Sequence, residues 1–560
     1  MRKSFAVITL LSLCVALFVP IVAGGQVDDP IIVKGGAPQS QAPQSQAGQT
    51  PAEISEPTHH DRTTRPLREM FERGDRPAVA RGGRDFEPGK PEPVGNTNPN
   101  TIDPLAERGV GAPSTFGEPK AATGGTPVDP SFRVAPPDTT GDVGPNHYVQ
   151  WVNLRYAVYT LTRDVTNNIT GFNLVAGFPK NGNVIWQGFG GRCESDNDGD
   201  PIVQYDQLAD RWILTQFAVS ATPYTQCVAV STGPDPTGTY NRYSYSFNKD
   251  FNDYPKLGVW PDAYYITYNM FRNGRTFSGN KVCALERDKM LIGASARQLC
   301  AQTSSSHASL EPSDLEGAVL PPAGTPNLLL SLSSTAVNFW RFAVNWTAGT
   351  GTLTGPTAIA GVASFSRTCG GGTCIPQPGT SQQLDSLADR LMYRLSYRNL
   401  GTREALVINH SVASGGGSGI RWYELQNATG QTMATATPVI RQQGTFAPSA
   451  DFRWMGSAAM DQTGGIAVGY SISNSSTIKP SIRYAYRSPL DPLGTLGNET
   501  TVLVGSGSQL TNLARWGDYS TISIDPVDGC TMVFTTEYLP SNGTFNWNTY
   551  IYTFKLSTCP

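Results

Sequence analysis

The chain has 560 residues, of which 16% are charged, and its formal net charge is −3 at pH 7. A nucleic-acid-binding protein needs a clustered basic surface, and this composition argues against one, so no nucleic-acid partner is expected. Glycine is abundant, with 58 residues, and 10% of the chain is aromatic, which is typical of proteins built from many short strands and tight turns.

The first 25 residues have the order of features found in secretory signal peptides. Arg2 and Lys3 supply positive charge, residues 5–22 are largely apolar, and small residues follow at 23–25. This order predicts a signal peptide over residues 1–24. An uncleaved membrane anchor is the alternative, because about 18 apolar residues just span a bilayer, but the small residues favour cleavage. No later stretch is apolar enough to cross a membrane, so we expect a mature chain that is secreted as an extracellular monomer.

Residues 25–130 differ from the rest of the chain in composition. They include the repeat GGAPQSQAPQSQAGQ and are rich in Pro, Gln, Gly and charged residues. A segment of this kind cannot bury enough apolar surface to offset the entropy that it loses on ordering. We therefore predict a disordered linker or a removable pro-segment, followed by a folded domain over residues 131–560.

Eight cysteines remain once Cys14 leaves with the signal peptide. An even number in an exported chain indicates disulfide bonds. Connectivity does not follow from sequence, but pairing between sequence neighbours is favoured over other arrangements. It joins Cys193 to Cys227, Cys283 to Cys300, Cys369 to Cys374 and Cys530 to Cys559. Metal ligation by the pair in TCGGGTC is disfavoured, because no second Cys or His pair stands nearby at zinc-site spacing.

The folded region repeats one design: a polar or glycine-bearing start, a short strand, a turn and a more apolar strand. Turn-forming residues stand between the strands at 206–210, 461–465 and 525–529. The strands after these turns, RWILTQFAVS, GIAVGYSI and CTMVFTTEY, are rich in β-branched and aromatic residues. Repeats of this design begin at Gly141, Gly199, Tyr254, Thr325, Leu384, Met455 and Trp516.

These repeats predict an all-β fold, a β-propeller of about seven four-stranded blades, with six or eight blades also open. Successive repeats begin roughly 50 to 70 residues apart, which leaves room for about four strands in each. The alternative is a pair of β-sandwich domains divided near residues 300–322. Sandwiches lack a unit that recurs at this interval, so the propeller is favoured.

Long runs within the repeats are distinctive in sequence. They include PPDTTGDVGPNHYVQWVN, DYPKLGVWPDAYYIT, SLADRLMYRLSYRN, RWMGSAAMD and RWGDYSTISIDPVDGC. These runs resemble a group of secreted bacterial proteins with no assigned activity, and the similarity extends from about Pro136 to Cys559. The resemblance implies a propeller-like extracellular module. It implies no catalytic residues.

The motif SDNDGDP places carboxylates at alternating positions, Asp196, Asp198 and Asp200. Calcium takes oxygen ligands from flexible loops, so the motif is a candidate calcium site. The EF-hand pattern is incomplete, because Gln207 stands where the pattern needs its final Glu. The alternative is a solvated turn whose side chains cap their own backbone.

Aspartates stand at or near the predicted starts of the innermost strands, which converge on one rim of the channel in a propeller. Arginines lie close to the same positions. Such a rim can bind a neutral or anionic sugar, and Arg gives bidentate recognition of a substrate carboxylate. The candidate ligand-binding residues are Asp142, Asp200, Asp253, Asp385, Asp518, Arg390, Arg453 and Arg515.

Three interpretations of this rim stay open. In the first its residues are structural, with Asp bonding backbone amides and Arg stacking on Trp. In the second the module binds an extracellular glycan or a cell-surface partner, with or without structural calcium. In the third it is a glycoside hydrolase or polysaccharide lyase that uses two rim aspartates, although the Asp-box of sialidases is absent. The chain also lacks HExxH and a complete Gly-x-Ser-x-Gly string, which disfavours zinc proteases and α/β-hydrolases.

Overall fold

The computed structural model describes residues 48–71, 103–107, 119–125, 134–497 and 499–560. Strands dominate this part of the chain, and its two α-helices, Gly191–Ser195 and Arg287–Ile292, are short. Short 3₁₀ turns lie at Leu67–Glu69, Gly182–Trp186 and Thr368–Gly371. No helix in the described ranges is long and apolar enough to cross a membrane. The predicted signal peptide lies outside these ranges.

Five short strands precede the repeats: β1 (Gln49–Pro51), β2 (Glu53–Ser55), β3 (His59–Arg62), β4 (Ala106–Glu107) and β5 (Pro119–Gly124). The repeats themselves form antiparallel sheets from consecutive strands. Blade 1 holds β6 (Thr139–Val143), β7 (His147–Val152), β8 (Arg155–Arg163) and β9 (Ile169–Leu174), with β10 (Lys180–Asn181) also on β8. Blade 2 holds β11 (Ile202–Asp206), β12 (Arg211–Ala218), β13 (Tyr224–Ser231) and β14 (Tyr240–Asn248). Blade 3 holds β15 (Phe251–Val259), β16 (Tyr264–Arg272), β17 (Thr276–Leu285) and β18 (Gln298–Gln302).

The second half of the repeat region continues the same pattern. Blade 4 holds β19 (Glu311–Glu316), β20 (Asn327–Leu332), β21 (Val337–Asn345) and β22 (Thr350–Ala358), and a hairpin of β23 (Thr373–Ile375) and β24 (Leu384–Asp385) follows. Blade 5 holds β25 (Met392–Asn399), β26 (Glu404–Ser414), β27 (Gly417–Gln426) and β28 (Val439–Phe446). Blade 6 holds β29 (Phe452–Met460), β30 (Ile466–Ser473), β31 (Ser481–Arg487) and β32 (Thr500–Leu503). Blade 7 holds β33 (Thr521–Ile524), β34 (Thr531–Tyr538) and β35 (Asn548–Lys555).

The first strand of each blade lies innermost, and these strands form a closed ring. β19 and β25 pair directly and in parallel, with Ser313 opposite Leu395. The other inner strands lie beside one another in chain order, and β33 of blade 7 lies beside β6 of blade 1. The protein is an all-β propeller of seven blades, which confirms the predicted fold. The alternative with two β-sandwich domains is wrong.

The N-terminal strand β5 completes blade 7. β5 pairs with β35, with Thr123 opposite Ile551, and so supplies the fourth strand of blade 7. Blade 1 follows β5 along the chain, so this pairing ties the two ends of the propeller together. It also covers a strand edge that would otherwise be open to pairing with other chains.

The strands before β5 lie along the outer edges of four other blades. β1 joins β22 of blade 4, β2 joins β18 of blade 3, β3 joins β14 of blade 2, and β4 joins β28 of blade 5. We call the described residues before 126 the belt. For the belt, the prediction of a disordered linker over 25–130 is wrong, because these strands gain backbone hydrogen bonds from the blade edges instead of burying a core of their own. The rest of 25–130 lies outside the described residues.

Ion pairs also attach the belt to the blades, and two of them involve an arginine that is buried in a blade. Asp103 accepts hydrogen bonds from Nη2 of Arg421 and, at 2.8 Å, from Oγ1 of Thr445. The side chains of Asp103 and Arg421 are both fully buried. Asp61 accepts from Nε of Arg242 at 2.8 Å and from its Nη2 at 2.6 Å, and the Asp61 side chain stays 28% exposed. The belt is therefore fixed by buried charge as well as by strand pairing.

All four predicted disulfide bonds are confirmed: Cys193–Cys227, Cys283–Cys300, Cys369–Cys374 and Cys530–Cys559. Each one joins residues of the same blade or of a connection next to it, and Cys193–Cys227 ties the short helix Gly191–Ser195 to β13 of blade 2. Cys283 and Cys300, for example, stand opposite each other on the adjacent strands β17 and β18. Pairing between sequence neighbours follows because each blade is built from consecutive strands.

Candidate functional site at the channel mouth

The starts of the inner strands meet at one end of the central channel, which we call the channel mouth. Because the inner strands run parallel, residues far apart in sequence converge there. Its charged side chains are Asp138, Asp200, Asp253, Lys256, Glu311, Asp385, Asp389, Arg390, Arg515 and Asp518. Its tyrosines are Tyr254, Tyr393 and Tyr519.

Side chains cross the channel below the mouth. Nε2 of Gln204 in blade 2 donates to the hydroxyl of Tyr393 in blade 5 at 2.9 Å. Farther along β25, Nη1 of Arg394 lies 2.8 Å from Asp314 of blade 4 and 3.7 Å from Asp142 of blade 1. Side chains from opposite blades therefore occupy the channel directly below the mouth.

Residues around the mouth hold a left-handed backbone at several blades. The φ angle is 50° at Asp138, 43° at Asp200, 53° at Tyr254, 44° at Leu387 and 53° at Met455. A residue other than glycine pays roughly 1–3 kcal/mol for a conformation of this kind, and such residues cluster at functional sites. Their recurrence at this end of the propeller marks the mouth as the candidate site.

Blade 7 brings an aspartate and an arginine to the mouth. Arg515 pairs with Asp518 through Nη2, and its Nη1 lies 3.4 Å from Oδ2 of Asp385. Asp138 accepts two hydrogen bonds: its Oδ1 accepts from the backbone N–H of Asp518 at 3.3 Å, and its Oδ2 accepts from Nδ2 of Asn153 at 2.7 Å. Burial, together with the charges of Asp518 and Asp200, holds the pKa of Asp138 well above its usual range. Asp138 is one of the mouth residues that the sequence did not single out.

Asp200 and Asp253 are half-buried carboxylates at the mouth. Burial raises the pKa of Asp200 well above its usual range, and the negative charges of Asp253 and Asp518 raise it further. The hydroxyl of Tyr519 donates to Oδ2 of Asp200 at 3.4 Å. Asp200 thus favours the protonated form beside a second carboxylate, which is the electrostatic arrangement of an acid and its partner in many catalytic sites.

Lys256 lies deeper, among tyrosine rings. Its Nζ is 3.1 Å from the ring centroid of Tyr254, 3.7 Å from that of Tyr519 and 5.9 Å from that of Tyr393. The side chain is fully buried, and burial lowers its pKa to about 7 despite the nearby carboxylates of Glu311, Asp518 and Asp200. A lysine within the apolar run YPKLGVW was not singled out in the sequence, because all of its named partners except Tyr254 come from other blades.

Glu311, the first residue of β19, faces the same region. It is fully buried, and neither carboxylate oxygen has a hydrogen-bond partner among the described residues. Burial raises its pKa to about 8, and the positive charges of Lys256 and Arg390 lower it only in part. A buried carboxyl without a protein partner calls for an ordered water, an ion or a polar ligand group beside it. The sequence EPSDLE alone carries no signal that would single out this glutamate.

We expect Glu311→Gln to change how stability depends on pH. With a folded pKa of about 8 and an ordinary unfolded value, native Glu311 binds a proton that the unfolded chain has lost between about pH 4.5 and 8. The native protein therefore loses up to about 1.4 kcal/mol of stability per pH unit as pH rises through this window. Lys256 acts in the opposite direction, but only above about pH 7.

The measurement is urea unfolding at pH 5, 6 and 7. The intact protein should lose stability across this range more steeply than Glu311→Gln. Glu69→Gln, a substitution at an exposed belt residue, is the matched control and should keep the slope of the intact protein. Equal slopes in all three proteins would contradict the burial of an unpaired carboxyl at position 311.

Arg390 joins the mouth, whereas two other predicted rim residues do not. Nε and Nη2 of Arg390 donate to Asp389 at 2.6 and 3.0 Å, and its guanidinium lies 4.8 Å from the centroid of the Tyr254 ring.

The prediction that Asp142 and Arg453 lie on the rim is wrong. Asp142 stands near the far end of β6, where it accepts from the backbone N–H of Tyr205 at 2.8 Å. Arg453 donates to Glu499 at 2.8 Å, away from the mouth. The repeats align imperfectly by sequence, and Asp138 rather than Asp142 faces the mouth in blade 1.

The three aspartates of SDNDGDP have separate partners. Asp196 pairs with Arg192, and Oδ2 of Asp198 accepts from the backbone N–H groups of Val219 and Ser220, each at 2.6 Å. Asp200 faces the mouth. Within the described ranges, no group of three or more His, Cys, Asp or Glu side chains is arranged to hold a metal ion. These three carboxylates do not converge on one point, and Asp198 binds the backbone that follows β12 instead of capping its own turn.

No protein family and no curated protein matches this sequence. Among solved structures, an α-L-arabinanase of Penicillium chrysogenum in complex with arabinobiose is 8% identical, with a TM-score of 0.38 over 80% of this chain and 100% of that one. A protein of unknown function from Dyadobacter fermentans is 11% identical, with a TM-score of 0.33 over 64% of this chain and 94% of that one. The endosialidase of phage phi92 is 6% identical, with a TM-score of 0.32 over 79% of this chain and 69% of that one. Likeness at these TM-scores carries no argument about what this chain binds.

Proposed function

We propose that this protein is an exported propeller that binds a glycan at the channel mouth. The observation that carries the proposal is the convergence of half-buried carboxylates from separate parts of the chain: Asp200 of blade 2, Asp253 of blade 3 and Asp385 of the hairpin before blade 5. An ionised carboxylate accepts hydrogen bonds, a protonated carboxyl such as that of Asp200 also donates one, and sugar hydroxyls do both, so the cluster suits a polyhydroxyl ligand.

Several features support a site that is built in advance of binding. Each inner strand is hydrogen-bonded into its blade, and Arg515 orients two of the carboxylates through its ion pairs with Asp518 and Asp385. Preorganised acceptors lose little entropy when a ligand arrives. Export is supported by the apolar N-terminal run and by four disulfide bonds, which persist in oxidising compartments.

The test is retention of oligosaccharides by the immobilised protein. We expect Asp253→Asn to weaken binding about tenfold, because it removes one charged acceptor from the mouth. Asp288→Asn is the matched control, since the Asp288 side chain is 87% exposed on the short helix Arg287–Ile292. Retention of no oligosaccharide from a broad panel, or equal loss in both variants, would overturn the proposal.

A second candidate function is hydrolysis of the bound glycan. Glycoside hydrolases use one protonated carboxylic acid and one ionised carboxylate on either side of the scissile bond. The raised pKa of Asp200 beside Asp253 favours this candidate, because Asp200 keeps a proton that it can donate to a leaving group. Asp253 then has the role of the ionised partner.

A further inference from the structure

The channel mouth carries an excess of negative charge. It gathers seven carboxyl groups and three cationic groups. The carboxyl groups belong to Asp138, Asp200, Asp253, Glu311, Asp385, Asp389 and Asp518, and the cationic groups to Lys256, Arg390 and Arg515. Even with protons on Asp138, Asp200 and Glu311, the remaining carboxylates outnumber the cations.

The cationic groups are already engaged by the protein. Arg515 lies between Asp518 and Asp385, and Arg390 makes two hydrogen bonds to Asp389 while it stacks on Tyr254.

Lys256 is fully buried under tyrosine rings. An arginine that recognises a substrate carboxylate needs a planar pair of N–H donors open to the ligand. The two arginines of the mouth direct such donors to the protein's own aspartates.

The acids of the mouth lie close enough to repel one another. Burial is the main cause of the raised pKa values of Asp138 and Asp200, and repulsion adds to it: the charge of Asp518 raises the pKa of Asp138 further, and the charges of Asp253 and Asp518 raise that of Asp200 further. The same field acts on any anion that enters the mouth, and one pKa unit corresponds to a tenfold change in an equilibrium. A ligand carboxylate at the mouth therefore meets repulsion without a compensating partner.

We propose that the channel mouth accepts saccharides without acidic groups, namely neutral sugars and amino sugars, and rejects uronic and sialic acids. The inference rests on the proposed glycan-binding function and names its ligand class. It departs from the sequence-based expectation that the rim arginines recognise a substrate carboxylate. Neutral hydroxyls donate to the carboxylates, and an ammonium group adds charge attraction.

The experiment uses pairs of oligosaccharides that differ in one functional group. Galactose oligomers are compared with galacturonic acid oligomers, and N-acetylglucosamine oligomers with glucosamine oligomers, by titration calorimetry on the intact protein. Within each pair, we expect the galacturonate to bind at least about tenfold more weakly than the galactose oligomer, and the glucosamine oligomer at least as tightly as its acetylated form. The glucosamine advantage should shrink when salt is raised, because salt screens charge attraction.

A variant shows whether charge or the shape of the mouth causes the weaker binding of galacturonate. Asp385→Asn removes one carboxylate and one of the partners of Arg515, so the preference against galacturonate should narrow by several-fold. Asp288→Asn should leave that preference unchanged. Tighter binding of galacturonate than of galactose, or an unchanged preference in a folded Asp385→Asn protein, would overturn the inference while glycan binding stands. If none of the four oligomers binds, the proposed function itself fails for these sugars.

Discussion

Replacing Asp103 with Ala is expected to lower the free energy of unfolding by about 3 to 5 kcal/mol, because it leaves Arg421 charged and buried without its partner. Thr445 loses a hydrogen-bond acceptor at the same time. Asp103 belongs to the belt and contacts blade 5, which lies more than 300 residues farther along the chain. The loss of stability in this variant therefore measures how strongly the belt is attached to the blades. Urea unfolding of the purified variant measures the change.

Asp61→Ala is the matched control within the belt. Both arginines keep hydrogen bonds to carbonyl oxygens, Arg242 to Ile185 and Gln187 and Arg421 to Ala363 and Ser364. The two pairs differ in exposure, because the Asp61 carboxylate is partly exposed whereas that of Asp103 is fully buried. We expect a loss of about 1 kcal/mol, as for a partly solvated pair. If both variants unfold like the intact protein, the belt does not hold the blades as the structure shows.

The second large effect concerns the hydrolytic candidate. Asp200→Asn is expected to lower the release of reducing ends from a bound oligosaccharide by about 100-fold or more, because the amide cannot donate the proton that general acid catalysis requires. Binding should change much less, since Asn keeps a hydrogen-bonding group of the same size. The raised pKa of Asp200 also predicts that activity persists well above the pH at which an ordinary aspartate loses its proton.

The readout is the rate of reducing-end formation together with the affinity for the same oligosaccharide. Asp288→Asn should match the intact protein in both. Full activity in Asp200→Asn would rule out this aspartate as the acid. Tight binding without any release of reducing ends by the intact protein would exclude hydrolysis and leave the binding function.

The sequence predicts the propeller well because its information is local. Except for the fourth strand of blade 7, each blade is built from consecutive strands, so hairpin turns such as 461–465 and the apolar strands after them are visible in a single stretch. The disulfide bonds are predictable for the same reason, since Cys283 and Cys300 lie on adjacent strands of one blade. Blade number follows from counting these units.

The belt and much of the mouth depend on long-range contacts that a single stretch of sequence does not display. β3 is stabilised by hydrogen bonds to β14, more than 170 residues away along the chain. Burial where several blades meet raises the pKa of Glu311 and lowers the pKa of Lys256. Asp142 shows the limit of repeat alignment: a shift of a few residues moves a side chain to the other end of an inner strand.

A crystal structure of the protein with a retained oligosaccharide locates the bound glycan. We expect sugar density within hydrogen-bonding distance of the carboxylates of Asp200 and Asp253. The same crystals should show Arg515 still paired with Asp385 and Asp518. Sugar density only on the outer faces of the blades or along the belt would rule out glycan binding at the channel mouth.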